Sequence, residues 1–187
     1  MKKKVLISLG IIFGVSLLLT IIGITMIFIP KLLKSPIIYS LNEDNESYGI
    51  YVQYNYKNKE KIEEIIIEDT YEGLPVTNIG FRAFYNCYAL TNVKIPSSIN
   101  TIEEGAFNGC IALESITIPN SVKLIEKYAF YDCNALKTII FEGTINEWIN
   151  VLYDFKEWYK QDYFYRIYYT VNCTDGTIAS DGTITYK

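Results

Sequence analysis

The chain has 187 residues, half of them hydrophobic, which is enough for one principal domain with its own core. It contains no histidine, so the usual general base, the commonest metal ligand and every Ser-His or Cys-His nucleophile pair are excluded. Five of the 17 basic residues and none of the 21 acidic ones lie in residues 1–34, so residues 35–187 carry a net charge of −9 and would repel nucleic acid.

The first 34 residues have the pattern of a membrane anchor. Lys2, Lys3 and Lys4 precede an uncharged apolar stretch at residues 5–29, which is long enough to cross a hydrocarbon core of about 30 Å. The stretch ends at Pro30 without an A-x-A-like site, which favours an uncleaved signal-anchor over the alternative of a cleaved signal peptide. The excess of positive charge at the start predicts a cytoplasmic N-terminus, so the protein is expected to be a single-pass cell-membrane protein with its C-terminal domain outside.

Residues 35–61 are predicted to form an N-terminal β cap. Pro36 precedes an apolar extended run, a polar turn follows at residues 42–47, and alternating apolar residues resume at Tyr48. Two β-prone runs around Asn, Asp and Ser residues predict a hairpin. Solenoids need such atypical units to cover their ends.

The next segment repeats itself every 23 residues. The three units are AFYNCYALTNVKIPSSINTIEEG, AFNGCIALESITIPNSVKLIEKY and AFYDCNALKTIIFEGTINEW. A period of this length predicts a solenoid, in which each unit completes its core by stacking on its neighbours. The matching positions are Ala83, Ala106 and Ala129; Phe84, Phe107 and Phe130; Cys87, Cys110 and Cys133; and Leu90, Leu113 and Leu136.

Each unit contains two predicted extended segments. Ile116 and Ile118 alternate at period two before Pro119, which indicates a strand that faces a core, and Val122 begins a second segment on the opposite wall. A degenerate earlier unit aligns with five extra residues near residues 72–75. The predicted repeat region is residues 62–145, with three to four units.

The repeat pattern L-x-x-I-x-I-P-x-S-[IV]-x-x-I-x-x-x-A-F-x-x-C-x-x-L resembles the BspA-like leucine-rich repeat family of surface proteins. Residues 71–80 resemble the stretch before the first repeat in that family, and residues 143–148 and 173–178 resemble its C-terminal end. The resemblance covers roughly residues 62–187. It implies display at the cell surface and binding to host proteins, other cells or matrix.

The three repeat cysteines are interpreted as structural free thiols, and Cys173 stands alone in the tail. A small, weakly polar side chain suits a tight turn inside a repeat. No C-x-x-C spacing suggests a metal, and stacked equivalent positions give poor disulfide torsions. Paired carboxylates at Glu63-Glu64, Glu103-Glu104 and Asp175 with Asp181 leave glycoside hydrolysis as a distant alternative.

Residues 146–187 are predicted to form an aromatic C-terminal cap and a terminal hairpin. Thr144-x-x-Glu147 is a capping box, and Ile145, Trp148, Ile149 and Leu152 recur at helical spacing. The aromatic residues that follow are expected either to complete this cap or to contact a ligand, because Tyr and Trp dominate binding hot spots. The candidate ligand-contact residues are Trp158, Tyr159, Tyr163, Tyr165, Arg166 and Tyr168.

The predicted fold is therefore mainly β: a short leucine-rich-repeat solenoid with a hairpin cap before it and a helical, aromatic cap after it, preceded by one transmembrane helix. The favoured function is a membrane-anchored, non-enzymatic binding module that contacts a protein or a glycan without a cofactor or a metal. The alternative is a structural or envelope-assembly protein that stacks on itself or on a partner subunit.

Overall fold

A computed structural model describes residues 37–52, 58–151 and 169–187. The predicted membrane segment, residues 5–29, lies outside these ranges. Within them, both helices are much too short to cross a bilayer. The residues from Pro36 to Lys187 belong to one compact unit.

The described residues are mainly β, with one short α-helix and one 3-10 turn at Lys59–Lys61. In chain order the elements are β1 (Ile37–Leu41), β2 (Tyr48–Val52), β3 (Glu64–Ile66), β4 (Thr70–Tyr71), β5 (Leu74–Ile79), β6 (Asn92–Lys94), β7 (Thr101–Ile102), β8 (Ser115–Ile118), β9 (Leu124–Ile125), β10 (Thr138–Phe141), α1 (Ile145–Val151), β11 (Thr170–Cys173), β12 (Gly176–Ile178) and β13 (Ile184–Tyr186).

The strands form two larger sheets and one strand pair. The first sheet has the order β1-β2-β5-β7-β9, with β4 also paired to β5. The second has the order β13-β12-β11-β10-β8, and β3 pairs with β6 separately. The strands supplied by successive repeats are parallel to one another in every case.

The register of the parallel strands follows the 23-residue period. Ile79 pairs with Ile102, which pairs in turn with Ile125. Ile65 instead pairs with Val93, because the degenerate unit contains the five extra residues that the sequence predicts. Those residues form the β4–β5 hairpin, whose two-residue turn has positive φ at both positions, as a type I′ turn requires.

The core lies between the sheets and is completed on a third side by the turns that contain the Ala-Phe pairs. Phe84, Phe107 and Phe130 stack with ring centroids 5.2 and 5.4 Å apart. The N–H of Phe84 donates to the carbonyl of Ala106 at 2.7 Å, and the N–H of Phe107 donates to the carbonyl of Ala129 at 2.8 Å. Equivalent side chains therefore form buried columns, as the repeat predicts.

Both ends carry non-repeating elements. The predicted hairpin is present as β1 and β2, which pair antiparallel, and β2 continues the sheet through β5. At the other end the predicted capping box is confirmed: Thr144 N–H donates to Glu147 Oε2 at 2.8 Å, and Glu147 N–H donates to Thr144 Oγ1 at 3.2 Å. The resulting helix α1 buries Trp148 against Phe141. Strands β11, β12 and β13 follow as an antiparallel meander.

Candidate functional site

The six aromatic and basic residues predicted to contact a ligand, Trp158, Tyr159, Tyr163, Tyr165, Arg166 and Tyr168, lie outside the described residues. Their role stays a prediction. Tyr169, the next aromatic residue along the chain, is buried and belongs to the core.

The four cysteines are buried free thiols with a packing role. Cys110 and Cys133 donate their S–H groups to the carbonyls of Phe84 and Phe107, each in the preceding repeat. Burial raises the pKa of Cys87 to about 11 and that of Cys133 to about 12. These thiols stay protonated at neutral pH, so they lack the thiolate that nucleophilic or metal chemistry requires.

The acidic clusters are also occupied by structural contacts. Glu103 accepts a hydrogen bond from the N–H of Phe81 at 2.6 Å, and Glu126 accepts one from the N–H of Glu104 at 2.9 Å. Asp175 accepts one from the first residue of α1 at 2.8 Å. Among the residues that the structure describes, no group of carboxylates or thiols is placed to hold a metal ion.

The exposed face formed by the Ala-Phe turns is the most distinctive surface of the described chain. Phe81 is 51% exposed, and Tyr128 and Tyr131 are 39% and 41% exposed. Burial alone does not account for large apolar side chains at these positions. We call this face the turn surface, and its residues are Phe81, Arg82, Tyr85, Asn86, Glu104, Asn108, Lys127, Tyr128, Tyr131 and Asp132.

The backbone of the turn surface has a left-handed residue at two positions in every repeat. The first column is Arg82, Gly105 and Tyr128, with φ values of 51°, 64° and 60°. The second is Asn86, Gly109 and Asp132, with φ values of 59°, 77° and 58°. Glycine adopts this conformation freely, and Asn and Asp tolerate it, whereas Arg and Tyr are strained there.

Arg82 is held between aromatic rings. Its guanidinium carbon lies 5.0 Å from the ring centroid of Phe81 and 5.2 Å from that of Tyr85. Within the described part of the chain, no carboxylate pairs with this guanidinium and no group accepts a hydrogen bond from it. The charge is thus positioned by ring contacts and remains available to a ligand.

The third repeat carries a second aromatic cluster on the same surface. The Tyr128 and Tyr131 rings pack edge to face at 6.0 Å, and Lys127 Nζ lies 5.9 Å from the Tyr128 ring. Unlike Arg82, Lys127 has an acidic partner, because its Nζ lies 3.4 Å from a carboxylate oxygen of Glu104.

The middle repeat has glycine at both left-handed positions, and side chains of the first repeat cover both glycines. The Arg82 side chain extends over Gly105, with Cγ 3.2 Å from where a Cβ would stand. Asn86 Oδ1 leans over Gly109 so closely that a Cβ there would collide with it. Gly105 and Gly109 are therefore buried, and two repeat steps of about 4.8 Å separate the outer turns.

Sequence reasoning did not identify the turn surface. The available signal was the difference between repeats at one position: arginine and tyrosine where the middle repeat has glycine. That difference points to a special site only when the backbone at this position is known to be left-handed, a conformation that favours glycine.

Comparisons with known proteins agree with the repeat architecture. A family model described as "BspA type Leucine rich repeat region" matches residues 51–153 in 6 copies. A crystal structure of a leucine-rich repeat protein from T. pallidum is 27% identical, with 59% of this chain and 53% of that chain covered and a TM-score of 0.50. One from Bacteroides ovatus ATCC 8483 is 32% identical, with 57% and 28% covered and a TM-score of 0.49. The chain thus spans about half or less of each of these relatives. No curated protein matches the sequence.

Proposed function

The chain belongs to the BspA-type leucine-rich repeat family, and from this we propose that it is a membrane-anchored binding module displayed outside the cell. Membership of a leucine-rich repeat family supports a general role as a protein-interaction module. In this proposal residues 1–34 anchor the chain, and residues 62–145 form a short solenoid between an N-terminal cap at 35–61 and a C-terminal cap at 146–187. The ligand is a protein or a glycan.

One observation carries the proposal: positions shared by the repeats are buried, whereas the exposed positions of the turns differ between repeats and include aromatic residues. Phe84, Phe107 and Cys110 are fully buried and serve the stack. Phe81 and Tyr131 point to solvent and contribute little to it. A scaffold with varied aromatic residues on its surface is what ligand recognition requires, since such residues bury a large area with few rotors.

The same observation favours binding over the assembly alternative. A protein that only stacks on copies of itself needs an uncovered apolar end, whereas here α1 packs against the edge strand β9. Phe81, Tyr128 and Tyr131 are exposed in the turns along the side of the stack.

The membrane part of the proposal can be tested with intact cells. The full chain with a C-terminal epitope is expected to remain in the membrane fraction after a carbonate wash, and added protease should remove the epitope. A matched variant lacking residues 5–29 should be released from the membrane. An epitope that resists protease in intact cells but is cleaved after lysis would reverse the proposed orientation.

The binding part needs a second experiment. The full chain, purified in detergent, would be presented to arrays of surface proteins and of glycans, together with its Tyr163→Ala and Tyr165→Ala variants. We expect both variants to lose most of the signal, and Tyr186→Ala, which alters a 69% exposed tyrosine on β13, to retain it. Binding that survives both changes would remove residues 158–168 as the contact surface.

A further inference from the structure

We propose that the turn surface binds a carboxylate on a segment of a partner protein, with the Arg82 guanidinium as its receptor. The inference deepens the proposed binding function and rests on it. It assigns a site within the described residues, separate from the candidate contact residues 158–168.

The backbone of Arg82 is left-handed. Its φ of 51° is strained for a residue with a Cβ, at a cost of about 1 kcal/mol. The equivalent position one repeat later is Gly105, which adopts the same conformation at φ 64° without that penalty. Arg82 is exposed and adds nothing to the core, so the fold does not explain why arginine stands where glycine would serve.

The guanidinium of Arg82 is positioned by aromatic rings. The rings of Phe81 and Tyr85 contact it at 5.0 and 5.2 Å and restrict its motion. Its N–H donors lie in the plane of the group, and no described residue uses them. A planar fork of donors, already ordered and unoccupied, matches the two oxygens of a carboxylate. The ordering lowers the entropy cost of binding.

The net charge of residues 35–187 favours one class of partner. Residues 35–187 carry a net charge of −9, so a uniformly anionic chain such as an acidic polysaccharide would be repelled. A peptide with a single carboxylate among apolar residues avoids most of that repulsion. Its apolar side chains can bury against Phe81, Tyr128 and Tyr131. These features favour a protein segment over an acidic glycan.

The test uses defined probes and the full chain in detergent. An array of heptapeptides would have glutamate at the centre and Ala, Leu, Ser or Tyr at the flanking positions, with a second array that replaces the glutamate by glutamine. Hyaluronan oligosaccharides would represent carboxylated glycans. The binding partners would be the wild type, Arg82→Gly, Arg82→Lys and Lys94→Ala; the last removes one exposed positive charge from β6, away from the turn surface.

The best glutamate peptides are expected to bind the wild type about tenfold or more tighter than their glutamine counterparts, as for a charge-assisted hydrogen bond. Arg82→Gly should abolish that difference, Arg82→Lys should restore part of it, and Lys94→Ala should leave it intact. Equal binding of the two arrays, or a preference that persists in Arg82→Gly, would overturn the inference. Hyaluronan binding without peptide binding would overturn the choice of partner class.

Failure of this inference can be told apart from failure of the binding function. If neither peptide array binds while the full chain still captures a surface protein or glycan, the carboxylate site is wrong and the binding module stands. If nothing binds in either experiment, the proposed function fails as well.

Discussion

The side chain of Arg82 lies over Gly105, the residue that occupies its own position in the next repeat. Both residues are left-handed, and the absence of a Cβ on the glycine is what allows the arginine to extend along the stack. A long side chain at this position in one repeat can extend over the next repeat because the next repeat has glycine there.

This relationship predicts opposite responses to substitution. Arg82→Gly should change the free energy of unfolding by less than about 1 kcal/mol, because relief of backbone strain offsets the lost ring contacts. Gly105→Ala should destabilise by about 1–2 kcal/mol, because it adds strain at φ 64° and crowds the Arg82 Cγ at 3.2 Å. Urea unfolding of both variants measures the contrast. A loss in Arg82→Gly as large as that in Gly105→Ala would show that arginine is needed for folding.

Two serines at equivalent positions are expected to behave differently. Ser121 Oγ donates to the carbonyl of Ile99 at 2.7 Å, so Ser121→Ala should cost about 1 kcal/mol. The buried Oγ of Ser98, one repeat earlier, has no hydrogen-bond partner among the described residues. Ser98→Ala should therefore be neutral or stabilising by up to about 1 kcal/mol. Equal losses in thermal melts of the two variants would contradict the hydrogen-bond assignment.

The buried thiols predict a loss of stability at alkaline pH. An exposed thiol has a pKa near 9.0, whereas burial raises the pKa of Cys87 to about 11 and that of Cys133 to about 12. Above pH 9 the unfolded chain therefore releases protons that the folded chain retains, so stability is fully present below pH 9 and falls as pH rises toward 12.

Chemical labelling measures whether the thiols are accessible, and a double variant measures their effect on stability at alkaline pH. The four thiols should react very slowly with a disulfide reagent in the native state at pH 8 and fully in denaturant. A Cys87→Ala, Cys133→Ala double variant should show a smaller fall in stability between pH 9 and 11. Rapid native labelling of Cys110 at pH 8 would show that the column is accessible.

The capping box of α1 can be tested at its first residue. Thr144→Ala removes the oxygen that accepts the Glu147 N–H, and it should destabilise the chain by about 1 kcal/mol. Thr144→Ser keeps that oxygen and should retain most of the stability. Chemical denaturation of the two variants distinguishes a cap from a residue that merely packs, since a packing role would make the serine variant weak as well.

The repeat and its hydrophobic positions could be predicted because equivalent residues of successive repeats occupy the same environment, so the same residue type recurs at a fixed spacing. The period and the alternation of apolar residues placed Phe107 and Ile118 in the core, and local patterns predicted the N-terminal hairpin and the capping box at Thr144. Each of these depends on spacing along the chain, which a sequence displays directly. The limits drawn between the caps and the repeats stay predictions.

The turn surface could not be predicted in the same way. The conformation of Arg82 is unusual for its residue type, so propensity argues against it. The contacts of its guanidinium with Phe81 and Tyr85 depend on three-dimensional placement. The roles of Glu103 and Glu126 were equally hidden, since a carboxylate that bonds the backbone of another repeat has the same sequence pattern as one in solvent.

These carboxylates belong to a set of side-chain contacts that all run in one direction along the stack, from a repeat to its predecessor. Glu103, Glu126, Cys110, Cys133 and Ser121 each use a side chain to satisfy a backbone group of the preceding repeat. A repeat deprived of its successor leaves these backbone groups without their side-chain partners. A nascent repeat should therefore become fully ordered only after the next one has been synthesised.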